Sequence, residues 1–290
     1  MTRTLLIPLL FLPTLLCAQN EALAQLEKAR DAYARLALEA ALAHADSAIT
    51  LDKGLPGAHK LRGDIKQRGG DMHGALVDYT VAEKLDDQDP RLYVSRSALY
   101  VTEGRLREAF RDTDRALKLS PNDADALYNR ACASYMAHNN EGALRDLDKA
   151  VAARPTHADA LFLRGVVKGE LFKEAEGLED IQAAMRLKPE IIDVRISAAV
   201  LLYEMARYEE AVAAFTEVIE AGENLPEAHY YRADCHYNLG NKGAACVDWR
   251  RSADLGDRDA AYIVKHYCMT DAEKIPKKPR RKRSEMRIEF

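Results

Sequence analysis

The chain has 290 residues, 48% of them hydrophobic and 30% charged, and a net charge of −4. Alanine and leucine abound, glycine and proline are sparse, and strand-like runs of valine, threonine and aromatics are missing, which points to an all-α protein with ample apolar side chain for a core. Residues 271–290 hold eight basic and four acidic groups, which leaves residues 19–270 at −9. A body that acidic argues against a general nucleic-acid surface, because phosphate binding needs a basic face.

Residues 1–18, MTRTLLIPLLFLPTLLCA, place Arg3 before an apolar run from Leu5 to Leu16. The run is short for a bilayer anchor and reads as a secretory signal peptide, cleaved between Ala18 and Gln19. A lipid-anchored reading on Cys17 fits less well, since Leu16 stands where that cleavage motif wants a small residue. Cleavage leaves Cys132, Cys235, Cys246 and Cys268 in a compartment that permits disulfides. No Asn-x-Ser/Thr sequon is present. The expected location is therefore a bacterial periplasm or cell envelope, ahead of full secretion or lipid anchoring.

From Ala22 onward the sequence is periodic. Ala29, Gly63, Ser97, Ala131, Gly165, Ala199 and Ala233 are spaced 34 apart, as are Ala41, Ala75, Ala109, Ala143, Gly177, Ala211 and Ala245, and again Ala48, Ala82, Ala116, Ala150, Ala184, Val218 and Ser252. Small side chains recur where helices approach closely, so three small positions per unit imply two tightly crossing helices packed on a neighbouring pair. Seven units span 22–257, beginning near residues 22, 56, 90, 124, 158, 192 and 226. In the fourth, DALYNRACASYMA is the first helix, the turn lies at His138 to Asn140, and EGALRDLDKAVAA is the second, closed by Arg154-Pro155. Pro121, Pro155 and Pro189 recur as helix stops, and Gly70, Gly104 and Gly240 sit at turns where a left-handed backbone suits glycine.

Five units pair an arginine in the first helix with an aspartate sixteen residues later: Arg62/Asp78, Arg96/Asp112, Arg130/Asp146, Arg164/Asp180 and Arg232/Asp248. The first and sixth units lose both partners together, with Lys28/His44 and Ala198/Ala214. Joint loss points to an ion pair inside each unit. Asp125, Asp159, Asp193 and Glu227 also recur, near the starts of first helices, where carboxylates suit the free amides and the macrodipole; an acidic rim is the second reading. Residues 258–270 give one apolar-faced helix, read as a C-terminal cap. The basic stretch 271–290 is read as a disordered tail, either simply solvated, in peripheral contact with anionic envelope groups, or folded back on the acidic body.

This pattern of period, small residues, aromatics and closing proline resembles the tetratricopeptide repeat, most closely in DTDRALKLSPND of the third unit. The first unit departs most, with Leu36 at the turn position and Ala45 where Tyr79, Phe215 and Trp249 stand elsewhere. The resemblance implies a right-handed superhelical solenoid of seven tandem helix-turn-helix repeats plus a C-terminal capping helix. It also implies a concave groove lined by the first helices that grips a peptide segment or partner protein. Carried over by position, that groove presents Tyr128, Asn129, Cys132, Tyr135 and Met136 from the fourth unit and Phe162 from the fifth, Tyr203 from the sixth, and Tyr230, Tyr231 and Tyr237 from the seventh. The family's carboxylate-clamp subtype is not matched, since Arg30, Asp64, Ala98, Cys132 and Val166 occupy its places. The segment ACVDWRRSADLGDRDAAYIVKHYC resembles a recurrent ending of exported members of this family with paired cysteines. That resemblance implies a Cys246–Cys268 bridge; Cys235–Cys246 and unbridged thiols remain open.

Catalytic patterns are missing: no HExxH, GxxxxGK, GxGxxG or GxSxG occurs, and no span outside the repeats is long enough for a catalytic domain. The expectation is a non-enzymatic interaction scaffold without metal or cofactor, binding a protein or peptide partner within an envelope complex. The alternative is an envelope tether held by its basic tail.

Overall fold

The computed structural model describes residues 12–191, 193–223 and 225–276. Most of the expected signal peptide (1–11) and the basic stretch 277–290 lie outside the described residues. Among the described residues every regular element is helical. Fourteen helices form seven antiparallel hairpins: α1 (Leu12–Ala34) with α2 (Leu38–Leu51), α3 (Pro56–Arg68) with α4 (Met72–Leu85), α5 (Pro90–Thr102) with α6 (Leu106–Leu119), α7 (Ala124–Met136) with α8 (Asn140–Ala153), α9 (Ala158–Glu170) with α10 (Glu174–Leu187), α11 (Val194–Glu204) with α12 (Tyr208–Glu220), and α13 (Leu225–Asn238) with α14 (Lys242–Asp254). The short α15 (Arg258–Ile263) follows and passes into a π-helical turn, Val264–Cys268. None of these helices is long and apolar enough to cross a membrane. The first hairpin is entered by a longer helix than the repeat spacing requires, because α1 runs unbroken through Ala18.

The chain divides into two compact units, Met1–Asn129 and Arg130–Phe290, with the boundary inside α7. In the first, Ala29, Ala41, Ala45, Ala48 and Ala58 are wholly buried between the helices of hairpins one and two. Gly63 is needed where Tyr79 crosses α3, since a β-carbon there would lie 2.6 Å from the ring. In the second unit the closest approach belongs to hairpin five. A β-carbon on Gly165 would sit 2.6 Å from the carbonyl of Gly177, and the reverse holds as well. The small positions of the 34-residue period are therefore backbone crossing points, and larger side chains would force the pairs apart. Phe215, Trp249 and Tyr230 are the large fully buried side chains of this unit, and truncating such an aromatic costs about 3–5 kcal/mol.

Local chemistry sets the helix ends. Asp89, Asp123 and His157 accept the backbone N–H of Arg91, Ala126 and Ala160, capping α5, α7 and α9 at a spacing of 34 residues. Asp125 and Asp159 lie inside the first helical turn, where the macrodipole favours them, but the capping side chains stand two residues earlier. All seven hairpin turns place one residue at positive φ: Leu36, Gly70, Gly104, His138, Phe172, Ala206 and Gly240. Only three of these are glycine.

The end of the chain is pinned more firmly than an unstructured tail from residue 271 would be. Ile275 is buried in the core cluster of the second unit, and Lys242 Nζ donates to the carbonyls of Thr270 (3.1 Å) and Ala272 (2.9 Å). Tyr262 donates its hydroxyl to the carbonyl of Pro276 at 3.1 Å. Residues 271–276 thus pack on the cap, because Ile275 and the lysine clamp hold them there.

Candidate functional site

The arginine and aspartate series forms a ladder of paired hydrogen bonds. Within each hairpin the arginine Nε and Nη2 both reach the carboxylate of its aspartate: Arg62 to Asp78 at 2.9 and 2.6 Å, Arg96 to Asp112 at 2.6 and 3.1 Å, Arg130 to Asp146 at 2.7 and 2.7 Å, Arg164 to Asp180 at 2.8 and 2.7 Å, and Arg232 to Asp248 at 2.8 and 2.7 Å. The geometry is the fork that arginine offers a carboxylate, and it is the pairing inside each unit that the sequence pattern suggests. The remaining Nη1 reaches back to the preceding hairpin: Arg62 to Asp46, Arg96 to Glu83, Arg164 to Asp148 and Arg232 to Thr216. One guanidinium therefore fixes both the crossing inside a hairpin and the register between hairpins.

The rungs differ in charge environment. Burial pushes the Asp78 and Asp248 carboxyls up, but hydrogen bonds from Arg62 and Lys66, and from Arg232 and His229, outweigh it and leave both below the usual aspartate range. At Asp112 burial wins, and its carboxyl lies above that range despite two bonds from Arg96. This ladder is scaffold. It occupies its own charges and leaves the face of the first helices to other groups.

That face carries the residues expected to bind a partner, and the structure sorts them by burial. Phe162 is 3% exposed, Tyr230 2%, Tyr231 6% and Asn129 8%. These four are core side chains, a correction to their reading as groove surface. Tyr230 and Tyr231 meet edge-on, and Tyr231 stacks on Phe215 at 5.8 Å, so packing between neighbouring helices has claimed them. Asn129 Nδ2 is spent on the carbonyl of Val94 and the hydroxyl of Ser97, each at 3.0 Å, tying α7 to α5. Cys132 is buried as well. Tyr128, Tyr135, Met136, Tyr203 and Tyr237 remain half-buried.

In the second unit two of these tyrosines join consecutive first helices. Tyr135 donates its hydroxyl to Glu170 at 2.7 Å, where Asn140 Nδ2 also donates at 2.6 Å, and Tyr203 donates to Asp234 at 3.2 Å. Burial and the nearby Asp234 charge push the Tyr203 hydroxyl well above its ordinary range, so it stays a neutral donor. Tyr237 lies against Trp249 and Tyr267, with ring centroids 5.9 and 5.6 Å away. The repeated tyrosines signalled this face from sequence, and Asp234 lies among them, but Glu170 did not stand out, since its 34-residue series is mixed: Met136, Glu204 and Asn238. In hairpin two the corresponding face is polar: Lys60 donates to Asp64 at 2.7 Å, and the Tyr79 hydroxyl lies 2.9 Å from the Asp64 carboxylate and 2.7 Å from Gln67 Oε1.

Of the cysteine arrangements open to the sequence, the structure contains the Cys246–Cys268 disulfide, with a Cα separation of 5.6 Å. It staples α14 to the π-helical turn. Cys132 and Cys235 are buried thiols. Among the described residues no group of three or more histidine, cysteine, aspartate or glutamate side chains is arranged to hold a metal ion.

Residues 196–261, which span hairpins six and seven, match the tetratricopeptide repeat family model. No curated protein matches the sequence. Among solved structures, a tetratricopeptide repeat protein from Parabacteroides merdae ATCC 43184 superposes with a TM-score of 0.56 at 20% identity, covering 85% of this chain and 98% of that one. Pseudomonas aeruginosa PilF gives 0.61 at 19% identity over 71% of this chain and 93% of its own. YrrB, described as a tetratricopeptide repeat protein with an unusual peptide-binding site, gives 0.59 at 22% identity over 64% and 97%. The family match covers hairpins six and seven, and the chain shares its fold with solved tetratricopeptide repeat proteins.

Proposed function

We propose that this chain is a tetratricopeptide repeat protein and a non-enzymatic interaction scaffold, exported to the cell envelope, that holds a basic and partly apolar peptide segment of a partner protein against the first-helix face of hairpins four to seven. The observation that carries the reading is the pair of hydroxyl–carboxylate links, Tyr135 to Glu170 and Tyr203 to Asp234, which set half-buried aromatic rings beside acidic groups on successive first helices. Tyrosine rings give contact area at low entropic cost, the buried Asp234 orients Tyr203, and the half-buried carboxylate of Glu170 favours lysine and arginine. A likeness in fold to YrrB, whose description includes a peptide-binding site, supports peptide capture as the class of activity. The disulfide at the cap and the leading apolar run support an oxidising compartment.

Fluorescence anisotropy with labelled peptides tests the face. Peptides alternating basic and apolar residues should bind, acidic ones should not, and Tyr135→Phe with Tyr203→Phe should weaken binding about fivefold or more while the helical spectrum is unchanged, as expected when the hydroxyl–carboxylate hydrogen bonds that hold the two rings in place are lost. Preference for acidic peptides, or indifference to both substitutions, overturns the reading. Fractionation of a tagged chain tests the compartment: the periplasmic fraction should hold protein beginning at Gln19, and retention in the cytoplasm contradicts export.

A further inference from the structure

Glu170 and the ladder aspartates are all bonded across helices, but the groups that bond them differ. Each ladder aspartate takes an arginine. Glu170 is half-buried and takes only neutral donors among the described residues: the Tyr135 hydroxyl on Oε1 at 2.7 Å and the Asn140 amide on Oε2 at 2.6 Å. The lysine two residues before it is no counter-ion, since Lys168 Nζ lies 2.8 Å from Asp180 and 3.6 Å from Glu176. Glu170 is also the last residue of α9, where the free carbonyls and the macrodipole favour a cation and disfavour a carboxylate. A charge held there by dipoles alone, and screened less than on the open surface, is completed by a cation.

Asn140 opens α8, and its side chain is spared the usual work of a helix start: Asn139 caps the helix, accepting the N–H of Gly142 at 3.0 Å. At the corresponding place the first three hairpins carry Leu38, Met72 and Leu106. The turn between Tyr135 and Asn140 is tight, with the His138 N–H on the Tyr135 carbonyl at 2.8 Å and the Asn139 N–H on the Ser134 carbonyl at 2.9 Å. The two donors therefore leave hairpin four from opposite ends of one turn and take one oxygen each, which fixes the plane of the carboxylate. A glutamate free to change rotamer would have to be ordered when a cation binds, and would hold it less well. Asp234, the acceptor of Tyr203, is 2% exposed and too deep for a partner's side chain.

We propose that Glu170 is the cation anchor of the first-helix face and that Asn140, a second-helix residue outside that face, is its positioning residue. A lysine ammonium or arginine guanidinium of the bound segment takes the remaining lone pairs of the carboxylate, beside the last carbonyls of α9. Given capture of a basic and partly apolar segment at that face, on which this assignment rests, one basic side chain of the segment sits at the C-terminal end of α9. Selectivity for charge is then set by Asn140 and Glu170, apart from the contact area that the tyrosine rings supply.

A labelled peptide alternating lysine with leucine, and the same peptide with glutamine for every lysine, test this by fluorescence anisotropy on the full chain. The parent should prefer the lysine peptide by about twentyfold or more at low salt. Glu170→Gln keeps an acceptor for both donors and should lower that preference about tenfold, as the loss of one charged contact does. Asn140→Ala puts a good helix former at the start of α8 and should lower it about threefold, with the affinity for the glutamine peptide changed by less than about twofold. In the Glu170→Gln background Asn140→Ala should have no further effect on preference. Equal loss of both peptides on Asn140→Ala assigns that residue to holding the hairpins together and overturns the positioning role, as does an unchanged preference. A parent that binds both peptides equally overturns the anchor and leaves capture standing. A parent that binds neither overturns capture, and the anchor with it.

Discussion

Hairpins six and seven are neighbours in one unit and share a fold, yet they are held by different means. Hairpin seven has the full polar set: Arg232 forked onto Asp248, His229 on the same carboxylate at 2.8 Å, Gly240 at the turn, and Asn241 capping α14 through the N–H of Ala244. Hairpin six has none of these. Ala198 and Ala214 replace the ion pair, Ala206 replaces the glycine, and Arg207 at the cap position makes no capping bond. What it has is burial: seven consecutive residues of α11, Ile196 to Leu202, lie in the core. The comparison teaches that the polar rung is not required to close a hairpin. An apolar pair of similar placement does as well, and the rung adds register, since Arg232 also reaches Thr216 on the preceding hairpin.

The largest effect should come from leaving half a rung. Arg232→Ala strands Asp248, 4% exposed, with only His229 beside it, and should cost hairpin seven about 3–5 kcal/mol. Adding Asp248→Ala makes the rung resemble that of hairpin six and should recover most of the loss. Hydrogen exchange resolved by helix is the measurement, because a stack of repeats need not unfold in one step. A double substitution as damaging as the single one would mean that hairpin six compensates in some other way.

Next comes the staple that only hairpin seven shares with the cap. Reducing Cys246–Cys268, whose partners are separated by 22 residues, should cost about 3 kcal/mol and loosen α15 and residues 269–276 before α13. Exchange in hairpin six should not change. The Lys242 contacts to Thr270 and Ala272 and to the Tyr267 ring, 4.4 Å from its centroid, should keep the reduced cap docked part of the time. Lys242→Ala in the reduced protein should therefore release it further.

Acid should separate the two hairpins by a smaller margin. The Asp248 carboxyl lies below its ordinary value in the folded protein, so its contribution is complete above about pH 4 and is lost as pH falls through the folded value. Burial holds the His236 imidazole below its ordinary value of about 6.5, so its contribution is complete above that pH and also declines on acidification. Both signs agree, and the protection of hairpin seven, taken relative to the intrinsic amide exchange rate at each pH, should begin to fall below about pH 6 and fall more steeply below pH 4. In hairpin six the acid held low is Glu210, in an exposed pair with Arg207 that salt screens. Equal acid sensitivity in the two hairpins would remove the ladder as its source.

How far these differences can be read without coordinates depends on whether a feature repeats. The 34-residue small positions and the joint replacement of arginine and aspartate by Ala198 and Ala214 gave the hairpins and the pairing inside each unit, because a period shows the small positions seven times and the ion pair five times. The cap at Asp89, Asp123 and His157 repeats too, but a histidine among aspartates hid it behind the neighbouring acidic series. The binding face was legible only in part. Position along a helix says which way a side chain starts, not whether the next helix covers it, and so Phe162, Tyr230 and Tyr231 looked like Tyr135 and Tyr203 in sequence although they are buried. Likewise Ile275 stands alone among charges, and only its packing shows that the chain stays docked to residue 276.

The smallest test exchanges the turns. Both central residues have the same backbone, Ala206 at φ 57° and Gly240 at φ 77°, and a β-carbon at Gly240 would meet nothing within 4 Å, so the difference between them is conformational and not steric crowding by neighbours. Ala206→Gly should then stabilise hairpin six by up to about 1 kcal/mol, the left-handed penalty of alanine less the entropy that glycine adds to the unfolded chain. Gly240→Ala should destabilise hairpin seven by a similar amount. If the two changes are equal and opposite in exchange measurements, the turns are independent of the rungs beside them. If Gly240→Ala costs clearly more, the turn and the Arg232–Asp248 rung are coupled, because a turn that shifts α14 also moves Asp248 relative to its fork. The double substitution Gly240→Ala with Arg232→Ala would then cost less than the sum of its parts, which measures that coupling directly.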